Sequence, residues 1–91
     1  MQLHEAVNRY DAFRNYLDDQ GLYADQPFQV ISMGSYYFIQ TSALICDAFS
    51  LVAHEQRTIE LQRGGTRQFK TFEAAANALR EIGQDRAVVF L

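Results

Sequence analysis

From Thr58 to Gly83 the chain reads TIELQRGGTRQFKTFEAAANALREIG, and the spacing of its apolar residues changes part-way along. Ile59 and Leu61 alternate with Thr58, Glu60 and Gln62, the period of a strand with one buried face. Gly64-Gly65 breaks the alternation with a turn, because glycine reaches positive φ without a Cβ clash. Beyond Phe69 the spacing becomes helical: Phe72, Ala75, Ala76, Leu79 and Ile82 form a single stripe. Thr71 suits the N-cap, Glu73 suits the positive end of the helix dipole, and Gly83 is a fitting stop. Such a block commits the chain to strand, turn, strand and helix in succession.

The side chains select a register for the turn. A two-residue Gly64-Gly65 loop pairs Leu61 with Gln68 and leaves Phe69 on the face opposite Ile59 and Leu61. A three-residue loop, Arg63-Gly64-Gly65, pairs Gln62 with Thr66 and Ile59 with Phe69, which unites the apolar residues. A slip of one residue moves every side chain to the other face, so the second register is expected, with Gly65 left-handed at a bulge.

Elsewhere the pattern gives five more elements. Leu3, Ala6, Val7, Tyr10, Phe13 and Leu17 make a helical stripe, and Gly21 ends a first helix over residues 3–20. Phe28 to Gln40 reads as a hairpin about Gly34-Ser35, with glycine at the first central position. Its pairing puts Phe28, Val30, Tyr37 and Ile39 on one face and Ile31, Met33, Tyr36 and Phe38 on the other. With both faces apolar, either both are covered or one is a recognition surface. Ser42 to Ala53 is read as a helix capped by Ser42, with strand as the alternative. Ala87 to Leu91, AVVFL, reads as a short buried strand.

Hairpins separated by helices argue for an α+β fold. The expectation is one small domain over residues 1–91, with a largely antiparallel sheet of two hairpins plus a C-terminal strand, and two or three helices on one face. Ninety-one residues suffice for one modest core without a metal or disulfide staple. The only cysteine, Cys46, excludes an internal disulfide and fits a reducing cytoplasm. His4 and Glu5 stand where a signal peptide would need a basic start and an apolar run. No apolar run approaches the ~20 residues that span a bilayer, so a membrane role is not expected.

Candidate chemistry is sparse. Cys46, Asp47 and His54 are residue types of a thiol site, but Cys46 and His54 lie too far apart on a helix, and a buried structural cysteine is the better reading. His4 and His54 lack the third and fourth ligands that a metal needs. RGGTR lacks the spacing and the lysine of a phosphate loop. No cofactor and no catalysis are therefore expected. The net charge of −3 conceals an asymmetry, with two basic and seven acidic residues in 1–56 against six and four in 57–91. Arg57, Arg63, Arg67 and Lys70 fall on one hairpin, either as a nucleic-acid contact or as a solvated edge that discourages aggregation. Tyr23, Tyr36, Tyr37 and Phe38 are either a recognition surface or residues covered by Tyr10, Phe13 and Tyr16 of the first helix.

The segment RGGTRQFKTFEAAANALREIG, residues 63–83, resembles stretches of small accessory proteins carried by bacterial plasmids and integrative elements, including partition-associated ones. The resemblance implies a setting, a bacterial cytoplasm and a mobile element, and transfers no site residue. Small proteins of that setting usually act by binding, among them partition accessories and inhibitors of host defence such as anti-CRISPR proteins. A non-catalytic interaction protein that docks on a host or element protein is thus the first expectation, with Met33, Tyr36 and Phe38 as its contact residues. The alternative is a nucleic-acid-binding or partition accessory that uses Arg57, Arg63, Arg67 and Lys70. Self-association is left open. Because Leu79 lies mid-stripe, Leu79→Ala should cost about 2–5 kcal/mol of stability, read from a denaturant or thermal melt.

Overall fold

The computed structural model describes residues 1–22 and 26–91, so Tyr23 lies outside the described residues. Helix α1 spans Leu3–Asp19, strand β1 Phe28–Ser32, strand β2 Tyr37–Thr41, helix α2 Ala43–Ala48, a one-turn helix α3 His54–Arg57, helix α4 Phe72–Ile82 and strand β3 Val89–Phe90. The fold is α+β, with the three strands ordered β2-β1-β3. β1 and β2 are antiparallel, while β3 joins β1 in parallel, which makes the sheet mixed.

The hairpin register is the expected one. Val30 faces Ile39, Ile31 faces Phe38, and Met33 N–H donates to the Tyr36 carbonyl at 2.9 Å across Gly34-Ser35. Gly34 has φ +88°, the conformation that admits glycine at this turn position. Phe28, Val30 and Ile39 are fully buried beneath the helices. Phe13 of α1 packs on Phe28 at 5.9 Å between ring centroids and on Phe49 at 4.8 Å. Phe72 of α4 meets Tyr37 edge-on at 6.1 Å.

Both long helices form where the stripes place them, with small rotations. In α1, Ala6, Tyr10, Phe13 and Leu17 are buried, and Val7 is exposed. The Glu5 carboxylate accepts from the Gln2 N–H at 3.2 Å and holds the first turn. Burial pushes the Tyr10 phenol above its ordinary pKa, against the lowering effect of Arg14. In α4, Ala75, Ala78, Leu79 and Ile82 are buried, so the stripe turns away from Phe72 and takes in Ala78 instead. Thr71 accepts from the Ala74 N–H at 3.1 Å. Gly83 stops the helix at φ +117°, and a Cβ there would sit 3.1 Å from the Tyr10 ring. Backbone conformation and space both favour glycine here.

Four expectations are corrected. The helix beginning at Ser42 ends at Ala48 rather than Ala53, because Ser50 adopts φ +56° and Leu51 N–H returns to the Cys46 carbonyl at 2.9 Å. That turn brings Phe49 onto Phe13 and Tyr16, and leaves Val52 in solvent. Second, the turn about Gly64-Gly65 pairs Glu60 with Thr66, and Arg67 N–H donates to the Ile59 carbonyl at 2.9 Å. The register is displaced by two residues from Gln62–Thr66 and Ile59–Phe69. An even displacement keeps the same side chains on each face.

Third, this second hairpin is held by isolated bridges rather than continuous strands. Ile59 N–H bonds the Ile39 carbonyl at 2.9 Å, Tyr37 and Phe69 exchange both bonds at 2.8 Å, and the Gln2 side-chain amide reaches the Leu61 carbonyl at 2.9 Å. Partners on both sides, β2 and the start of α1, divide the segment between them. Fourth, Ala87–Leu91 is not a buried strand. It lies at the outer edge of the sheet, with one neighbouring strand, and both residues of β3 are exposed.

β3 reaches that position through Gln84, a buried glutamine with three hydrogen bonds. Its Oε1 accepts from Phe28 N–H at 3.1 Å, and its Nε2 donates to the Phe28 carbonyl at 2.8 Å and the Arg86 carbonyl at 2.7 Å. The amide thus pairs with the first residue of β1 as a strand backbone would. Gln84→Ala should lower stability by about 1–3 kcal/mol for each buried Phe28 group left unpaired, measured by urea unfolding.

Candidate interaction surface

β1 and β2 are five residues long and carry helices on one side only, so their alternate side chains meet two different environments. The inner set, Phe28, Val30, Tyr37 and Ile39, belongs to the core or packs on it. The outer set is Ile31, Met33, Tyr36 and Phe38, flanked by Gln29 and Gln40. β3 adds to it, since the parallel partner of Ile31 is Phe90. None of Ile31, Met33, Tyr36, Phe38 and Phe90 belongs to the buried core or packs against it. Met33 is 53% exposed and Phe90 49%, while Ile31, Tyr36 and Phe38 are half-buried among their neighbours.

The three contact residues expected from sequence, Met33, Tyr36 and Phe38, therefore share this outer face. Tyr37 does not: it points inward and touches Phe72. The aromatic residues of α1 cover the opposite side, with Phe13 on Phe28 and Tyr16 on Phe49, so they leave Tyr36 and Phe38 open. Sequence reading missed Phe90. The run AVVFL carries no alternation, and only the parallel pairing with β1 reveals which of its side chains faces outward.

The basic residues are divided. Arg63 and Arg67 line a groove of about 630 Å³ with Leu3, His4, Glu60 and Leu61. The Arg67 guanidinium also lies 4.9 Å from the centroid of the Phe69 ring. Arg57 lines a different and smaller hollow beside Gln40, Cys46 and Asp47, and its Nε donates to the Leu51 carbonyl at 2.8 Å. Lys70 lines neither. The four cations thus do not converge on a single surface.

The residue types of a thiol site are likewise separated. Cys46 is buried with Sγ 3.4 Å from the Thr41 hydroxyl, whereas the exposed His54 imidazole meets the Thr66 hydroxyl at 3.0 Å. Among the described residues, no group of three His, Cys, Asp or Glu side chains is placed to hold a metal ion, and no helix is long and apolar enough to cross a membrane. No family model, curated protein or solved structure matches this chain. Because Cys46 contributes a small buried side chain and no paired base, Cys46→Ala should leave biological activity intact. It should cost about 1 kcal/mol in a thermal melt, the transfer value of one small apolar group.

Proposed function

We propose that this is a non-catalytic interaction protein that docks on another protein through the outer face of its sheet. One observation carries the reading. Ile31, Met33, Tyr36, Phe38 and Phe90 lie together on a sheet face that no described helix covers. An apolar face of this kind is unusual on a solitary domain and typical of an interface, where aromatic side chains supply contact area at low entropic cost. Gln29 and Gln40 give it a polar rim that can hydrogen-bond without the cost of desolvating a charge. The likeness of residues 63–83 to accessory proteins of mobile elements supplies the setting: a host or element protein is the partner, and inhibition of a host defence, in the manner of anti-CRISPR proteins, is one form such binding takes.

The second reading, nucleic-acid binding from the basic hairpin, is favoured by Arg63 and Arg67 lining one groove. It is weakened by the separation of Arg57 and by the engagement of Arg67 with Phe69.

The two readings predict opposite orders of effect. Under protein docking, Tyr36→Ala and Phe38→Ala each remove a central contact and weaken partner capture by about 2 kcal/mol, while Arg63→Ala with Arg67→Ala changes it little. Under nucleic-acid binding the double arginine variant loses phosphate contacts and flattens the salt dependence of binding. Pull-down from host lysate and salt-titrated DNA and RNA binding distinguish them, after circular dichroism has shown each variant folded. A folded Tyr36→Ala, Phe38→Ala double variant that captures the same partner at full strength overturns the docking reading.

A further inference from the structure

We infer that the protein self-associates through the outer edge of β3, with two copies pairing their Ala87–Leu91 segments antiparallel about Val89. The main chain carries the argument. Val30 N–H donates to the Val88 carbonyl at 2.9 Å, and the parallel partners are Val30 with Val89 and Ile31 with Phe90. In a parallel ladder this directs the Val88 carbonyl and the Phe90 N–H toward β1. The N–H and C=O of Val89 then point away from the sheet, as do the N–H groups of Ala87 and Leu91. No described residue pairs with them.

The opposite edge is closed. β2 is bonded along its outer side by Ile59 and by the two-bond exchange between Tyr37 and Phe69. Among the described residues β3 is thus the free edge of the sheet. Free edges are ordinarily blunted by short length, lysine, proline, inward charges or a bulge; β3 itself is only two residues long, but its extended flanks bring the segment to five. Ala87-Val88-Val89-Phe90-Leu91 has no lysine, proline or charged side chain, and the nearest charged side chains are Asp85 and Arg86. Val89 is 36% exposed, Phe90 49% and Leu91 fully so.

A second copy fits this edge by symmetry and charge. Antiparallel pairing of identical segments is isologous and needs only one patch. With the two-fold axis at Val89, the two Val89 residues exchange both bonds, Ala87 lies opposite Leu91, and Phe90 packs beside the second copy's Val88. No side chain of the segment is charged, so copies of a chain with net charge −3 meet here without like-charged side chains in contact. The six strands form one sheet, and the outer faces of both copies run into each other through Phe90. This inference does not depend on protein docking, since a face and an edge are separate surfaces.

Sedimentation velocity on the whole chain, from low to high micromolar, tests it. The wild type should pass from monomer to dimer. Val89→Lys and Leu91→Lys should each weaken association about tenfold or more, and Met33→Lys on the outer face should not. The fully exposed Leu91 has no packing to lose, so this variant separates lost pairing from lost folding. A wild type that stays monomeric throughout overturns the inference. A dimer that survives both edge substitutions, or one that Met33→Lys abolishes, also overturns it.

Discussion

The amide of Gln84 is the joint on which the sheet depends. A glutamine side chain carries the donor and acceptor of a peptide group, and here it spends both on Phe28. Without it the first residue of β1 would be buried with its main-chain groups unpaired, at a cost comparable to the hydrogen bonds lost. Its third bond, to the Arg86 carbonyl, fixes the path of the chain as it leaves α4. Gly83 makes the preceding turn at φ +117°, where a Cβ would crowd the Tyr10 ring at 3.1 Å. Together these residues deliver Val89 and Phe90 beside β1. The parallel pairing, the free edge and the extra aromatic ring on the outer face all follow from that delivery.

The division of aromatic residues between the two sides of the sheet gives the molecule its character. Phe13, Tyr16, Phe28 and Phe49 meet in edge-on or tilted contacts under α1 and seal the inner face. Tyr36, Phe38 and Phe90 take no part in this cluster. Two five-residue strands have no third layer to cover their other side, so a sequence apolar on both faces must leave one open to solvent or to a partner. On the inner side the one thiol, Cys46, meets the Thr41 hydroxyl, while the exposed His54 imidazole meets that of Thr66.

What could be read from the sequence was local. Thr71 and Gly83 bound α4 through caps only a few residues from the groups they satisfy, and Gly34-Ser35 fixed the register of β1 on β2 across a two-residue turn. Alternation then put Met33, Tyr36 and Phe38 on one face. What could not be read was set at a distance. Ser50 ends α2 in a left-handed turn that no glycine announces, because Phe49 gains two aromatic neighbours from α1. The displaced register at Glu60–Thr66 reflects bonds to Ile39 and Gln2. A continuous apolar run has the same composition in the middle of a sheet as at its edge, so AVVFL gave no sign of its exposure. Gln84 resembled an ordinary polar linker residue until its partner, 56 positions away, was seen.

The pairing of Val30 with Val89 joins positions 59 apart in the chain, through a strand only two residues long. Closing so long a loop for so few bonds is entropically costly, so this seam should form late in folding and part readily in the native state. Val30 is fully buried, yet its amide is satisfied by that seam alone among the contacts described. Its hydrogen exchange would then be governed by detachment of β3 rather than by global unfolding, while the amide of Phe38, which faces Ile31 inside the β1–β2 hairpin, would exchange far more slowly. Burial and protection would part company within a single sheet.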